Sequence, residues 1–159
     1  PLLSVFGGKL TTYRKLAESA MAQLQPFFPQ LGNSWTASAP LPGGEQMTTP
    51  QALTRELLDK VSGLTPALAQ RWATTYGSRV WTLLGDSRSV EELGAVLGAD
   101  LHLREVEYLQ RHEWVTRADD VLWRRTKLGL VFTDAERAAL EDFLAHSEPA
   151  QATKGSNAA

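Results

Sequence analysis

The sequence has no cysteine, which excludes disulfides and thiolate chemistry and fits a reducing compartment. It has no apolar run approaching the ~18 residues of a membrane-spanning helix, and no signal-peptide pattern at its start. It has no excess of positive charge: 16 basic and 18 acidic residues give a net charge of −2. A general nucleic-acid binder would need a basic face to neutralise phosphates, so that class is disfavoured. Histidine is scarce and scattered, at His102, His112 and His146. His112-Glu113 does not begin a zinc motif, because the second histidine would fall where Thr116 stands. No metal constellation exists in the sequence. What is present is apolar content: 43% of 159 residues, enough to bury the core of one domain.

The opening stretch carries the most chemistry. Leu2 to Phe6 is a short apolar run that reads as a strand, and Gly7-Gly8 stops it. Leu10, Tyr13, Ala17, Ala20, Met21 and Leu24 then fall at helical spacings. Glycine allows close backbone approach to a ligand, and a helix start offers unpaired N–H groups at the positive end of its dipole. Lys9 adds a charge, and Thr11 and Thr12 add hydroxyls. This is not a nucleotide P-loop, which would need glycine where Leu3 stands and Ser or Thr where Leu10 stands. Nor is it a dinucleotide fingerprint, since G-x-G-x-x-G is missing. Taken alone, the motif also reads as a tight strand-to-helix connection with a solvated lysine.

Along the rest of the chain the pattern is helical. The first helix should run from Leu10 to about Gln25, ended by Pro26 and Pro29. Residues 31–44 read as an irregular connector with turn chemistry, and a domain boundary is expected near Gly44. Thr49-Pro50 and Thr65-Pro66 each set a capping hydroxyl before a proline at the first helical position. Leu53, Leu57 and Val61, then Leu68, Ala69, Trp72 and Tyr76, supply the apolar stripes. A short helix is expected up to Leu84. Ser89 to Glu92 has capping-box spacing and predicts a helix through Val96 and Leu97. The longest helix is expected over Leu103 to Trp114, and another from about Thr116 to Lys127. A second capping box, Thr133 to Glu136, opens the last helix. Residues 148–159 read as a disordered tail. Besides Leu2 to Phe6, only Leu130 to Phe132 resembles a strand, and neither has an evident partner. The fold class is therefore all-α: a small helical bundle over 45–147, preceded by a strand-turn-helix and connector in 1–44.

Phe6-Gly7-Gly8-Lys9-Leu10-Thr11-Thr12-Tyr13-Arg14 resembles the last flavin-contacting segment of FAD-dependent glycerol-3-phosphate dehydrogenases. His112 to Leu130, containing Ala118-Asp119-Asp120-Val121-Leu122-Trp123-Arg124-Arg125-Thr126, resembles the signature of that family's C-terminal helical domain. The resemblance covers about Leu3 to Phe143 and is closest to the aerobic, bacterial, quinone-linked branch. It implies an excised C-terminal portion whose parent oxidises sn-glycerol 3-phosphate to dihydroxyacetone phosphate and passes electrons through FAD to quinone. It implies Gly7, Gly8, Lys9, Leu10 and Thr11 as flavin contacts, with Lys9 also reaching the substrate. No catalytic residue is implied within this chain, because the family's base should lie upstream. The implied partners are the enzyme's own N-terminal FAD domain and, for the whole enzyme, a second copy. The implied location is cytoplasmic and peripheral to the inner membrane. The chain alone should be inactive and should lack bound FAD. An oxygen-using glycerol-3-phosphate oxidase, or a non-catalytic helical interaction module, are the alternatives.

Arg124-Arg125-Thr126-Lys127 could meet an anion, but helix-end charge and pairing with Asp119 and Asp120 explain it as structure. Trp72, Trp81, Trp114 and Trp123 read as core or interface residues.

Overall fold

The computed structural model describes residues 2–46 and 49–147; the segment read as a tail, 148–159, lies outside the described residues. The chain divides into two compact units, Pro1–Leu41 and Pro42–Ala159.

In the first unit, Leu2 to Phe6 forms no strand, as expected of an apolar run with no neighbouring strand to hydrogen-bond. Gly7 and Gly8 turn the chain at φ +74° and +145°. A 3₁₀ turn, Leu10–Thr12, leads into helix α1, Tyr13–Leu24, and a second 3₁₀ turn, Gln25–Phe27, contains Pro26. None of the described residues up to Leu41 is buried.

The second unit has a closed core. Thr49 and Thr65 act as the sequence predicts: their hydroxyls accept the N–H of Ala52 at 3.1 Å and of Leu68 at 3.2 Å. They open α2 (Pro50–Lys60) and α3 (Pro66–Tyr76), and each proline takes a first-turn position where no N–H is needed. Leu53, Leu57, Leu68 and Trp72 bury against one another's helices. Gly77 ends α3 at φ +54°, and a Cβ there would run into the Gly43 carbonyl oxygen. That oxygen accepts the Ser78 N–H at 2.8 Å, so the end of the connector lies directly on the end of α3. A 3₁₀ turn then enters the short α4 (Val80–Leu84).

Three expectations are corrected here, and the expected helix after Trp114 is refined. Ser89 caps no α-helix: the Glu92 carboxylate accepts the Arg88 N–H at 2.6 Å instead, and only a 3₁₀ turn, Val90–Leu93, forms. Val96 and Leu97 belong to a strand. β1 (Val96–Gly98) pairs antiparallel with β2 (Leu101–His102), with Val96 opposite His102 and Gly98 opposite Leu101. Next, α5 (Leu103–His112) stops short of Trp114, and the longest helix among the described residues is α6 (Asp134–His146). The helix after Trp114 carries a π-helical stretch, Asp120–Arg125, in which Thr126 donates from both N–H and hydroxyl to the Val121 carbonyl, at 2.9 and 2.8 Å. Finally, Leu130 to Phe132 is no strand; Leu128–Leu130 is a 3₁₀ turn entered through Lys127 at φ +63°. The capping box of α6 forms in full between Thr133 and Glu136.

No described helix is long and apolar enough to cross a membrane.

Candidate functional site

Lys9 stands at the N-cap of the first 3₁₀ turn with extended backbone, and makes no side-chain cap bond. Its carbonyl accepts the Thr12 N–H at 3.0 Å and the Thr12 hydroxyl at 3.2 Å, so Thr12 closes the turn and Thr11 is left outward. Gly7, Gly8, Lys9, Leu10 and Thr11 therefore share one exposed turn ahead of α1. At Gly7 a Cβ would meet nothing within 4 Å, whereas at Gly8 it would meet the Leu16 side chain at 2.9 Å. The first glycine keeps an open approach from outside, and the second is needed for packing against α1. Phe6 and Leu10 flank the turn at 94% and 87% exposure. Open backbone, a helix start, a lysine and uncovered apolar side chains suit a flat cofactor with a charged edge, so the residues present fit a flavin.

One turn further, Glu18 gathers cations. It accepts from Arg14 at 2.8 Å, Lys15 at 3.1 Å and the Thr36 hydroxyl at 2.6 Å. The Thr36 bond first, then Lys15 and Arg14, hold the Glu18 carboxyl down at about 2. This ties α1 to the Trp35-Thr36 turn, and Glu18 and Thr36 both line an open groove of about 550 Å³ together with Ala17, Met21, Gln25 and the rest of the loop 31–36. The sequence reading missed Glu18, because a carboxylate beside Arg14 and Lys15 reads as an ordinary i,i+4 pair.

The second missed feature lies in the other unit. Glu105 is fully buried. One carboxylate oxygen accepts from Arg71 at 2.6 Å and the Tyr76 hydroxyl at 2.5 Å; the other accepts from Arg71 at 2.8 Å and the Trp72 indole at 2.9 Å. Arg71 also reaches the Asp100 carboxylate and carbonyl, both at 3.1 Å. Burial, with the Glu105 charge beside it, pushes the Tyr76 hydroxyl well up, and Glu105 and Asp100 keep Arg71 charged. Every strong acceptor site of Glu105 is engaged, so this cluster joins α3, α5 and the hairpin turn and has no acceptor left for a ligand. Its sequence signal was a glutamate on the same helical face as Tyr108 and Leu109.

The histidines sit apart: His102 near the Gly94 carbonyl, His112 stacked on Tyr108 at 4.9 Å, and His146 beside Asp142. Among the described residues no cluster could hold a metal. Arg124 pairs with Asp120 at 2.7 Å, Arg125 with Glu113 at 3.1 Å, and Lys127 donates to the Trp123 carbonyl. These cations serve structure. Of the tryptophans, Trp72 is core and Trp81 lies under Lys60 at 4.8 Å, but Trp114 is 83% exposed, against the core option.

Residues 34–149 match the family model described as the C-terminal domain of alpha-glycerophosphate oxidase. The chain is 56% identical to a glycerol-3-phosphate dehydrogenase of Pseudomonas aeruginosa, over 94% of its own length and 29% of the relative's. It is 44% identical to the aerobic glycerol-3-phosphate dehydrogenase of Escherichia coli K12, over 91% and 29%. It is 42% identical to the D-erythritol 1-phosphate dehydrogenase of Brucella abortus, over 90% and 29%. The chain thus spans under a third of the length of these curated relatives.

Proposed function

The chain belongs to the family of the C-terminal domain of alpha-glycerophosphate oxidase, and we propose that it is the C-terminal portion of an FAD-dependent sn-glycerol-3-phosphate dehydrogenase. The observation that carries this is the 56% identity across 94% of the chain to a protein of that name. In this reading residues 1–44 finish the flavin-binding domain and its connector, and 45–147 form a helical cap. The whole enzyme oxidises sn-glycerol 3-phosphate to dihydroxyacetone phosphate and delivers the electrons to quinone. Because that acceptor is lipid-soluble, the enzyme should meet the membrane, and the reading places it peripherally on the cytoplasmic face of the inner membrane.

When bound, FAD supplies the hydride acceptor that no side chain here can provide. The work of this chain's own residues is placement and charge. Gly7, Gly8, Leu10 and Thr11 present backbone to the cofactor, and the open side of Gly7 supports such an approach. Lys9 offers a cation to the substrate phosphate, or to negative charge that develops during transfer. The base that takes the substrate's hydroxyl proton lies outside this chain.

An oxygen-using oxidase is the second reading, favoured by the description of the matching family. Both are tested on the full-length polypeptide loaded with FAD. Glycerol 3-phosphate should be oxidised with a quinone analogue as acceptor, and faster than D-erythritol 1-phosphate. Turnover with dissolved oxygen alone would move the assignment to the oxidase. Lys9→Ala should lower kcat/KM about 100-fold; an unchanged value would sink the role given to Lys9. The 159-residue chain by itself should show no turnover.

A further inference from the structure

Trp114 occupies a corner that does not suit it. Its φ is +56°, a region where glycine or asparagine sits easily and a bulky residue is strained. The corner is fixed from both sides. Before it, the Glu113 N–H bonds the Leu109 carbonyl at 2.9 Å, and Arg125 grips Glu113 by its carbonyl at 2.9 Å and its carboxylate at 3.1 Å. After it, Val115 is buried, and the N–H groups of Thr116 and Arg117 both end on the Asp120 carboxylate, at 3.1 and 3.0 Å. These bonds pull the Asp120 carboxyl below its usual range. The result is a rigid, strained corner that holds an indole in solvent at 83% exposure. Strain kept in place by surrounding bonds points to function, and a preorganised exposed tryptophan is the form that interface anchors take.

We propose that Trp114 is the docking anchor of the helical unit, seated in an apolar slot on the part of the full-length enzyme that lies outside this chain. The proposal rests on the reading of the chain as a C-terminal portion. Linkage favours that occupant over a second copy. One aromatic side chain buries at most about 250 Å², while a stable dimer needs about 800 Å² from each partner. A tethered partner needs far less, because linkage keeps its effective concentration high. The relatives supply the tether: more than two thirds of their length lies outside the span of this chain. The neighbouring Arg117 is exposed, and its guanidinium has no ion-pair partner among the described residues, so the slot should carry an acidic rim.

The test uses Trp114→Gly, which relieves the strained backbone while deleting the anchor. In the 159-residue chain this variant should melt no lower than wild type. In the full-length enzyme it should raise the rate of proteolytic cleavage within residues 31–46 about tenfold, and Trp114→Phe should restore most of the protection. Unchanged cleavage in Trp114→Gly would overturn the proposal. So would conversion of a dimer to a monomer with cleavage unchanged, which would assign the indole to a second copy. Glycerol 3-phosphate turnover by the wild-type enzyme is read in the same preparation. Turnover without Trp114-dependent protection rejects the anchor alone, whereas protection without turnover supports the anchor and rejects the functional reading.

Discussion

Helices α1 and α2 are 12 and 11 residues long, and both carry an apolar stripe. Yet α2 buries Leu53 and Leu57, while α1 buries nothing. Around α1, Leu10, Tyr13 and Met21 remain 87%, 56% and 47% exposed. The same amphipathic signal thus describes a helix whose cover is supplied by its own unit and a helix whose cover is not. Periodicity states that a face needs covering; it does not state which element does it. The contrast extends to the two carboxylates that organise each unit. Glu105 is sealed under four donated hydrogen bonds, and Glu18 keeps its three donors at the edge of solvent.

The sharpest way to break this contrast is to remove Glu105. Glu105→Ala leaves the Arg71 charge under-compensated in the interior and leaves the Trp72 indole and Tyr76 hydroxyl without acceptors. It should destabilise the chain by about 3–5 kcal/mol in urea titration. A loss under about 1 kcal/mol would show that the second unit does not depend on its clamp.

A matched pair of truncations comes next. Leu57→Ala removes a fully buried side chain and should lower stability by about 3 kcal/mol. Leu10→Ala removes one that is already in solvent, and should change stability by less than about 0.5 kcal/mol. Equal effects in the same titration would erase the distinction between the units.

The smallest effect concerns acid. Glu18 has its pKa lowered from 4.5 to about 2, first by Thr36, then by Lys15 and Arg14. A depressed carboxylate contributes its stability above the unfolded value and loses it as pH falls through the folded value. The hold of α1 on the Trp35-Thr36 turn should therefore be complete above about pH 4.5 and gone near pH 2. The Trp35 fluorescence should report this as a transition within that window. In Thr36→Ala the transition should move up toward 4.5, and an unmoved midpoint would reject Thr36 as the main cause.

Local chemistry was the readable part of this chain. Thr49-Pro50, Thr65-Pro66 and the Thr133 to Glu136 box all capped where expected, because each needs only atoms within a few residues. Ser89 carried the same spacing and failed, because Glu92 bonded the Arg88 N–H instead. The β1–β2 hairpin was missed since three- and two-residue strands leave too short a pattern to read. A π-helical stretch departs from the 3.6-residue repeat and so escapes a search for it. Of the candidate site, the Gly7 to Thr11 turn was visible as a contiguous motif. Glu18 with Thr36 and Glu105 with Arg71 were not, since their partners lie 18 and 34 residues away.

Glu136 has a consequence of another kind. One of its carboxylate oxygens takes the Thr133 N–H at 2.8 Å to start α6, and the other takes the Ala99 N–H at 3.1 Å at the tip of the hairpin. Together these bonds keep its carboxyl ionised below the usual range. A single side chain therefore belongs to two turns that are 37 residues apart in the chain. Substitutions in the hairpin tip and in the α6 cap should not act independently: once Glu136 is gone, the cost of altering either turn falls. The two turns form one epistatic unit, and sequences that drift at one of them will be constrained at the other.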